Sequence, residues 1–198
     1  MRNHSKSAKT AILAIAIVIT APLAGAPITV QDVGNTTGGG ASLTLNNYTV
    51  SGGPSQVLAV IVAGDGGTDL SNHAVNSVTY GGAPLIQASG AANGASQRAQ
   101  KTSTDLWYLL SPLQGSAQDL LVNFTGSGPG SSSLGALVLN NVVQQPPEAV
   151  TSSSGQGQNS ASTSITTVND NAVIVDGVAV GTHSTWTAGA GITEQLDF

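Results

Sequence analysis

The feature that most constrains the fold is a succession of short apolar or alternating runs, each bounded by glycine, serine, asparagine or proline. Residues 42–45 alternate polar and apolar side chains, and residues 57–63 (VLAVIVA) are continuously apolar over a length that suits a strand buried on both faces. Beyond Pro27, no long stretch has helical apolar spacing. About nine to twelve strands without interleaved helices predict an all-β fold, a jelly-roll-like antiparallel β-sandwich of two sheets.

Two further patterns make local predictions. Residues 164–168 (SITTV) and 172–175 (AVIV) flank Asn169-Asp170-Asn171, and this spacing suits a β-hairpin. Trp107 and Tyr108 are adjacent, so on a strand they point to opposite faces. We expect Trp107 in the core and Tyr108 as the more exposed ring.

The first residues have the three-part pattern of a secretory signal. Three basic residues precede the apolar run at residues 11–21 (AILAIAIVITA), and small residues follow at Ala24 and Ala26. The run is shorter than the roughly 20 residues that span a bilayer, so we expect no membrane span after signal removal. We assign residues 1–26 to the signal and 27–198 to the sandwich domain, and we expect a secreted or cell-surface protein. The exact cleavage bond is left open, since Pro27 is an unfavourable first mature residue.

Charge and cysteine content exclude several classes of partner. Without residues 1–26, only Arg98 and Lys101 face ten acidic residues, which gives a net charge of −8. Such a surface repels phosphate backbones and anionic lipids, so we expect no nucleic-acid binding and no peripheral membrane binding. The sequence has no cysteine, which excludes disulfides and thiolate metal sites.

No motif indicates catalysis. The sequence lacks a G-x-S-x-G nucleophile elbow, a P-loop and a G-x-G-x-x-G phosphate loop. Asp105 and Glu148 are the nearest candidates for the paired carboxylates of a glycosidase, but we expect both to be exposed to solvent. We therefore expect that the protein is not an enzyme, and a secreted hydrolase is the least favoured hypothesis.

Residues 65–73 contain the best candidate for a metal site. Asp65, Asp69 and Asn72 offer the oxygen ligands that calcium prefers, on a glycine-containing loop. Asp-Gly and Gly-Gly are also ordinary turn formers, and we favour a turn over a metal site. No cofactor other than calcium at this loop is expected.

Aromatic side chains are scarce, which limits where a glycan could stack. Trp186 follows a turn among threonine and serine and is the best candidate for an exposed ring, and Tyr108 is the second. These two residues are the candidate ligand-binding residues, although packing at the core or its rim is the more common role of such rings.

The motifs V-T-Y-G-G (residues 78–82) and L-W-Y-L-x-x-P (residues 106–112) resemble those of a β-sandwich module that recurs in large secreted and surface proteins of bacteria and archaea. The resemblance covers roughly residues 41–193 and implies the fold rather than an active site. In such modules the strands continue past the position of Glu194. We therefore expect a C-terminally truncated sandwich that lacks its final strand or strands, with a strand near residues 192–197 at an open edge.

These observations support two main hypotheses. The first is an extracellular binding or adhesion module whose partner is a glycan or a surface protein. The second is a structural subunit of an extracellular filament or surface layer, in which subunits self-associate by strand exchange through an open sheet edge.

Overall fold

The computed structural model describes residues 11–20, 26–65, 74–88, 102–156 and 164–180. Within these ranges the chain forms twelve β-strands and no helix, so the predicted all-β fold is confirmed. The strands are β1 (Ala11–Thr20), β2 (Thr29–Gly38), β3 (Ser42–Thr49), β4 (Val57–Asp65), β5 (Val75–Tyr80), β6 (Ala83–Pro84), β7 (Ile86–Gln87), β8 (Thr102–Leu110), β9 (Ala117–Phe124), β10 (Ser131–Asn140), β11 (Ala149–Gln156) and β12 (Ala172–Val180).

The strands form three antiparallel sheets. The central sheet has the order β2-β10-β4-β8-β7, the four-stranded sheet β3-β9-β5-β6, and the three-stranded sheet β11-β1-β12. The central and four-stranded sheets pack face to face and make the predicted sandwich. The three-stranded sheet covers the opposite face of the central sheet, a third layer that the sequence did not predict.

Strand β4 explains why two layers can pack on the central sheet. Leu58, Val60 and Val62 face the four-stranded sheet in a first core, while Val57 and Ala59 face the three-stranded sheet in a second core. All five are almost fully buried, which confirms the prediction for the apolar run at residues 57–63. Burying each larger aliphatic side chain contributes about 1.5–3 kcal/mol, so β4 stabilises both interfaces.

The V-T-Y-G-G motif has a direct structural role. Gly81 and Gly82 both have positive φ, at 55° and 82°, and they join β5 to β6 in a tight hairpin turn. Two consecutive positive φ values favour glycine because it has no Cβ. Tyr80, just before the turn, is buried, and its hydroxyl accepts a hydrogen bond from the N–H of Val50 at 3.2 Å.

The prediction of a hairpin at residues 164–175 is wrong in its first half. Residues 172–180 form β12, but residues 164–168 are not a strand, and β12 pairs with β1 instead. The physical reason is the longer pairing that β1 offers, because β1 pairs with β12 over nine residues, from Ile12–Val180 to Thr20–Ala172. The apolar run assigned to an export signal thus supplies β1, while cleavage itself stays a prediction. Residues 181–198, with the strand predicted near residues 192–197, lie outside the described residues.

Candidate strand-acceptor site

Strand β1 is the central strand of the three-stranded sheet although it comes first in the chain. Its ladder with β11 extends from the pair Ala11–Gln156 to the pair Val18–Ala149. Its ladder with β12 extends from Ile12–Val180 to Thr20–Ala172. β11 and β12 are not neighbours of each other in the sheet, so β1 alone connects them. We call the place between β11 and β12 the strand-acceptor site.

Main-chain hydrogen bonds continue beyond the ladders at the C-terminal end of β1. The N–H of Glu148 donates to the carbonyl of Val18 at 3.0 Å, and the N–H of Val143 donates to the carbonyl of Thr20 at 2.9 Å. Main-chain pairing depends little on side-chain identity, so the site could hold any extended segment whose side chains suit its two faces.

The side chains at this end of β1 are deeply buried. Val18 is 0% exposed, and Ile19 and Thr20 are each 4% exposed. Ile19 packs in the second core with Leu106 and Tyr108 of β8. Removing β1 would therefore uncover apolar side chains as well as two rows of main-chain donors and acceptors, a surface that favours strand capture.

The three-stranded sheet lies against the central sheet at Gly177 of β12. A Cβ on this glycine would lie 2.6 Å from Cγ2 of Ile61, so a larger residue would have to displace the Ile61 side chain. On the same face of β8 as Leu106 and Tyr108, the hydroxyls of Thr102 and Thr104 are buried and have no hydrogen-bond partner among the described residues. A buried, unpaired hydroxyl costs about 1–3 kcal/mol, so the fit of this layer over β8 is incomplete.

Asp105 departs from its predicted environment. Its side chain is 5% exposed on the first-core side of β8, so the expectation that it is solvated is wrong. Burial raises the pKa of its carboxyl from the usual 3.8 to about 6, although a hydrogen bond from Gln87 acts in the opposite direction. Gln87 Nε2 donates to Asp105 Oδ1 at 2.8 Å. On the same face, the indole N–H of Trp107 is buried and finds no hydrogen-bond partner in the part of the chain that the structure describes. The sequence carried no sign of this burial, because β8 begins with four polar residues at positions 102–105.

The candidate ligand-binding residues do not form a site in the described part of the chain. Tyr108 is 4% exposed and belongs to the second core, so the prediction that its ring is accessible is wrong. The reason is the third sheet, which covers the face of β8 that a two-sheet sandwich would leave open. Trp107 is buried in the first core, as predicted. Trp186 lies outside the described residues.

The calcium prediction falls mostly outside the described residues. Asp65 ends β4, but its side chain, and all of Asp69 and Asn72, belong to the part that the structure does not describe. Among the residues it does describe, no group of three histidine, cysteine, aspartate or glutamate side chains could hold a metal ion. Glu148, the second candidate carboxylate, is half-buried and accepts hydrogen bonds from the N–H of Val168 and from Asn169 Nδ2.

Comparisons with known proteins find no relative. The chain matches no protein-family model, no curated protein and no solved structure. The resemblance to modules of surface proteins therefore stays a prediction. Within the described ranges, no helix is long and apolar enough to cross a membrane.

Proposed function

We propose that this chain is a non-catalytic extracellular β-sandwich module that associates with its partners by accepting or exchanging a β-strand, as a structural subunit of a surface assembly. One observation carries the proposal: β1, the first described strand, completes a sheet between two strands that are far from it in sequence.

Strand exchange requires that the contacts in the assembly equal those within one chain. A β1 strand from a second copy would make the same ladders with β11 and β12. The exchange is therefore opposed only by the constraint of the connection from β1 to β2 and by the free motion that two chains lose when they associate. The sequence between β1 and β2 contains Pro22 and Pro27, and a proline has no N–H to donate to a strand ladder. These features support association through β1.

The export prediction concerns the same residues. Cleavage after Ala26 would remove β1 from its own chain and leave the strand-acceptor site open to a strand from elsewhere. In either case the site binds an extended, largely apolar strand.

Glycan binding, the other hypothesis, receives less support. All five described aromatic side chains are buried, namely Tyr48, Tyr80, Trp107, Tyr108 and Phe124. Stacking on sugars requires exposed ring faces, so this hypothesis depends on the two aromatic residues outside the described ranges, Trp186 and Phe198.

Single cysteines test the exchange of β1 between intact chains. Val18 and Ile174 are partners in the β1–β12 ladder, and such partners are within disulfide distance. The sequence contains no cysteine, so introduced thiols have no competitor. When Val18→Cys and Ile174→Cys chains are incubated together at micromolar concentration and oxidised, we expect a disulfide-linked dimer that joins residues 18 and 174.

The matched control pairs Val18→Cys with Leu113→Cys, a position that is 56% exposed and lies outside the three-stranded sheet. Mass spectrometry of the linked peptides identifies the contact. Equal dimer yields from the two mixtures, or no dimer from the first, would contradict strand exchange.

A further inference from the structure

Residues 164–168 carry a hairpin pattern that the structure leaves unused. Ser164, Thr166 and Thr167 are exposed, and Val168 is 78% exposed. The next strand, β12, begins only after a three-residue connection at residues 169–171. A connection of this length ordinarily joins two strands of one hairpin. Residues 164–168 do not pair with β12, and we call them the displaced segment.

The displaced segment ends beside the strand-acceptor site. The N–H of Val168 donates to Glu148 Oε1 at 2.8 Å, and Glu148 itself donates its N–H to Val18 of β1 at 3.0 Å. Glu148 immediately precedes β11. Residues 164–168 therefore lead to the β11 side of β1, and the connection at residues 169–171 crosses the end of β1 to reach β12.

Register gives the displaced segment suitable side chains for the site. A three-residue connection places Val168 opposite Ala172, and hence Ile165 opposite Val175 and Thr167 opposite Val173. Val175 is buried in the second core and Val173 packs against it. Ile165 would therefore be buried where β1 now lies, while Ser164 and Thr166 would face outward.

We propose that residues 164–168 are a second occupant of the strand-acceptor site: they pair with β12 when β1 is absent, and an incoming apolar strand displaces them. The displacement rests on the proposed function, whereas the hairpin does not. Because the connection is short, the segment is at high effective concentration and protects the sheet edges. β1 has the advantage of ten residues with ladders on both sides, so it occupies the site when present.

A second pair of cysteine variants distinguishes the two occupants within one full-length chain. Thr166→Cys with Ile174→Cys reports the hairpin, and Val18→Cys with Ile174→Cys reports β1. With β1 intact, we expect a disulfide only in the chain that carries Val18→Cys and Ile174→Cys. Ile15→Pro breaks both ladders of β1 at its centre, opposite Ser152 and Gly177. In that background we expect the 166–174 disulfide to form.

Hydrogen exchange provides an independent measurement on chains without cysteine. The amides of residues 165–167 should exchange at least about tenfold more slowly when β1 is released than when it is paired. Val18→Asp, which places a charge at a fully buried position, releases β1 by a different route and should give the same protection. Ile15→Val is the control that keeps the main-chain donor.

The outcomes separate this inference from the proposed function. If the 166–174 disulfide and the protection are absent after β1 is released, the second occupant is wrong. If the Ile15→Pro chain and the Val18→Asp chain both unfold, the second occupant is also wrong, because the hairpin should keep the sheet closed. If these signals appear but chains never form the intermolecular 18–174 disulfide, the hairpin stands and strand exchange fails.

Discussion

Asp105→Asn should stabilise the protein at neutral pH and have a much smaller effect in acid. The side chain is 5% exposed on the first-core face of β8, and burial raises the pKa of its carboxyl from 3.8 to about 6. The folded protein therefore holds the Asp105 carboxyl protonated at moderately low pH and buries it as a charged group at neutral pH. The asparagine has no charge to bury and keeps an oxygen that can accept the hydrogen bond from Gln87 Nε2.

The magnitude follows from the difference between the folded and unfolded pKa values. A shift of roughly two pH units corresponds to about 3 kcal/mol. Below about pH 4 the carboxyl is protonated in both states, so it imposes no penalty. Between about pH 4 and 6 the unfolded state releases its proton more readily, and the free energy of unfolding falls as pH rises. Above about pH 6 the penalty is constant. The new amide N–H₂ needs a partner, so we expect a net gain of about 1–3 kcal/mol at pH 7.

Urea denaturation of both proteins at several values between pH 4 and pH 8 measures this difference. The free energy of unfolding of the variant minus that of the wild type should rise between pH 4 and pH 6 and then level off. Asp170→Asn, which removes an exposed carboxylate, controls for the change in net charge. A difference that does not vary with pH would refute the argument, because it would show that the buried carboxyl titrates alike in both states.

Three further predictions concern packing, a buried hydroxyl and calcium. Gly177→Ala should lower the free energy of unfolding by about 1–3 kcal/mol, because its Cβ would lie 2.6 Å from Ile61 Cγ2. In the same thermal melt, the control Gly52→Ala should be nearly neutral, because the nearest atom to its Cβ would be 3.9 Å away. Tyr80→Phe should cost about 1–2 kcal/mol in urea denaturation because it leaves the N–H of Val50 without its acceptor; an unchanged midpoint would show that this bond contributes nothing. Calcium titration should leave the melting temperature unchanged, because we favour a turn at residues 65–73, and a rise that a chelator reverses would establish a site instead.

The all-β class and several buried strands were predictable from local patterns, whereas the third layer was not. The continuous apolar run at residues 57–63 predicted a strand buried on both faces, and β4 has that environment because two sheets pack on it. The adjacency of Trp107 and Tyr108 predicted opposite faces, since side chains alternate along a strand. Gly81 and Gly82 marked a turn because only glycine readily adopts two successive positive φ values.

What the sequence alone determined is therefore the class of structure, several of its strands and the alternation of side chains along them. What the tertiary structure decided is which strands are neighbours and which faces are covered. Main-chain hydrogen bonds between strands are nearly the same for any sequence, so partners are chosen by the packing of the whole molecule. That is why β12 pairs with β1 rather than with residues 164–168. The same non-local packing buries Asp105 and Tyr108. The residues next to them in the sequence do not indicate that other sheets cover these side chains.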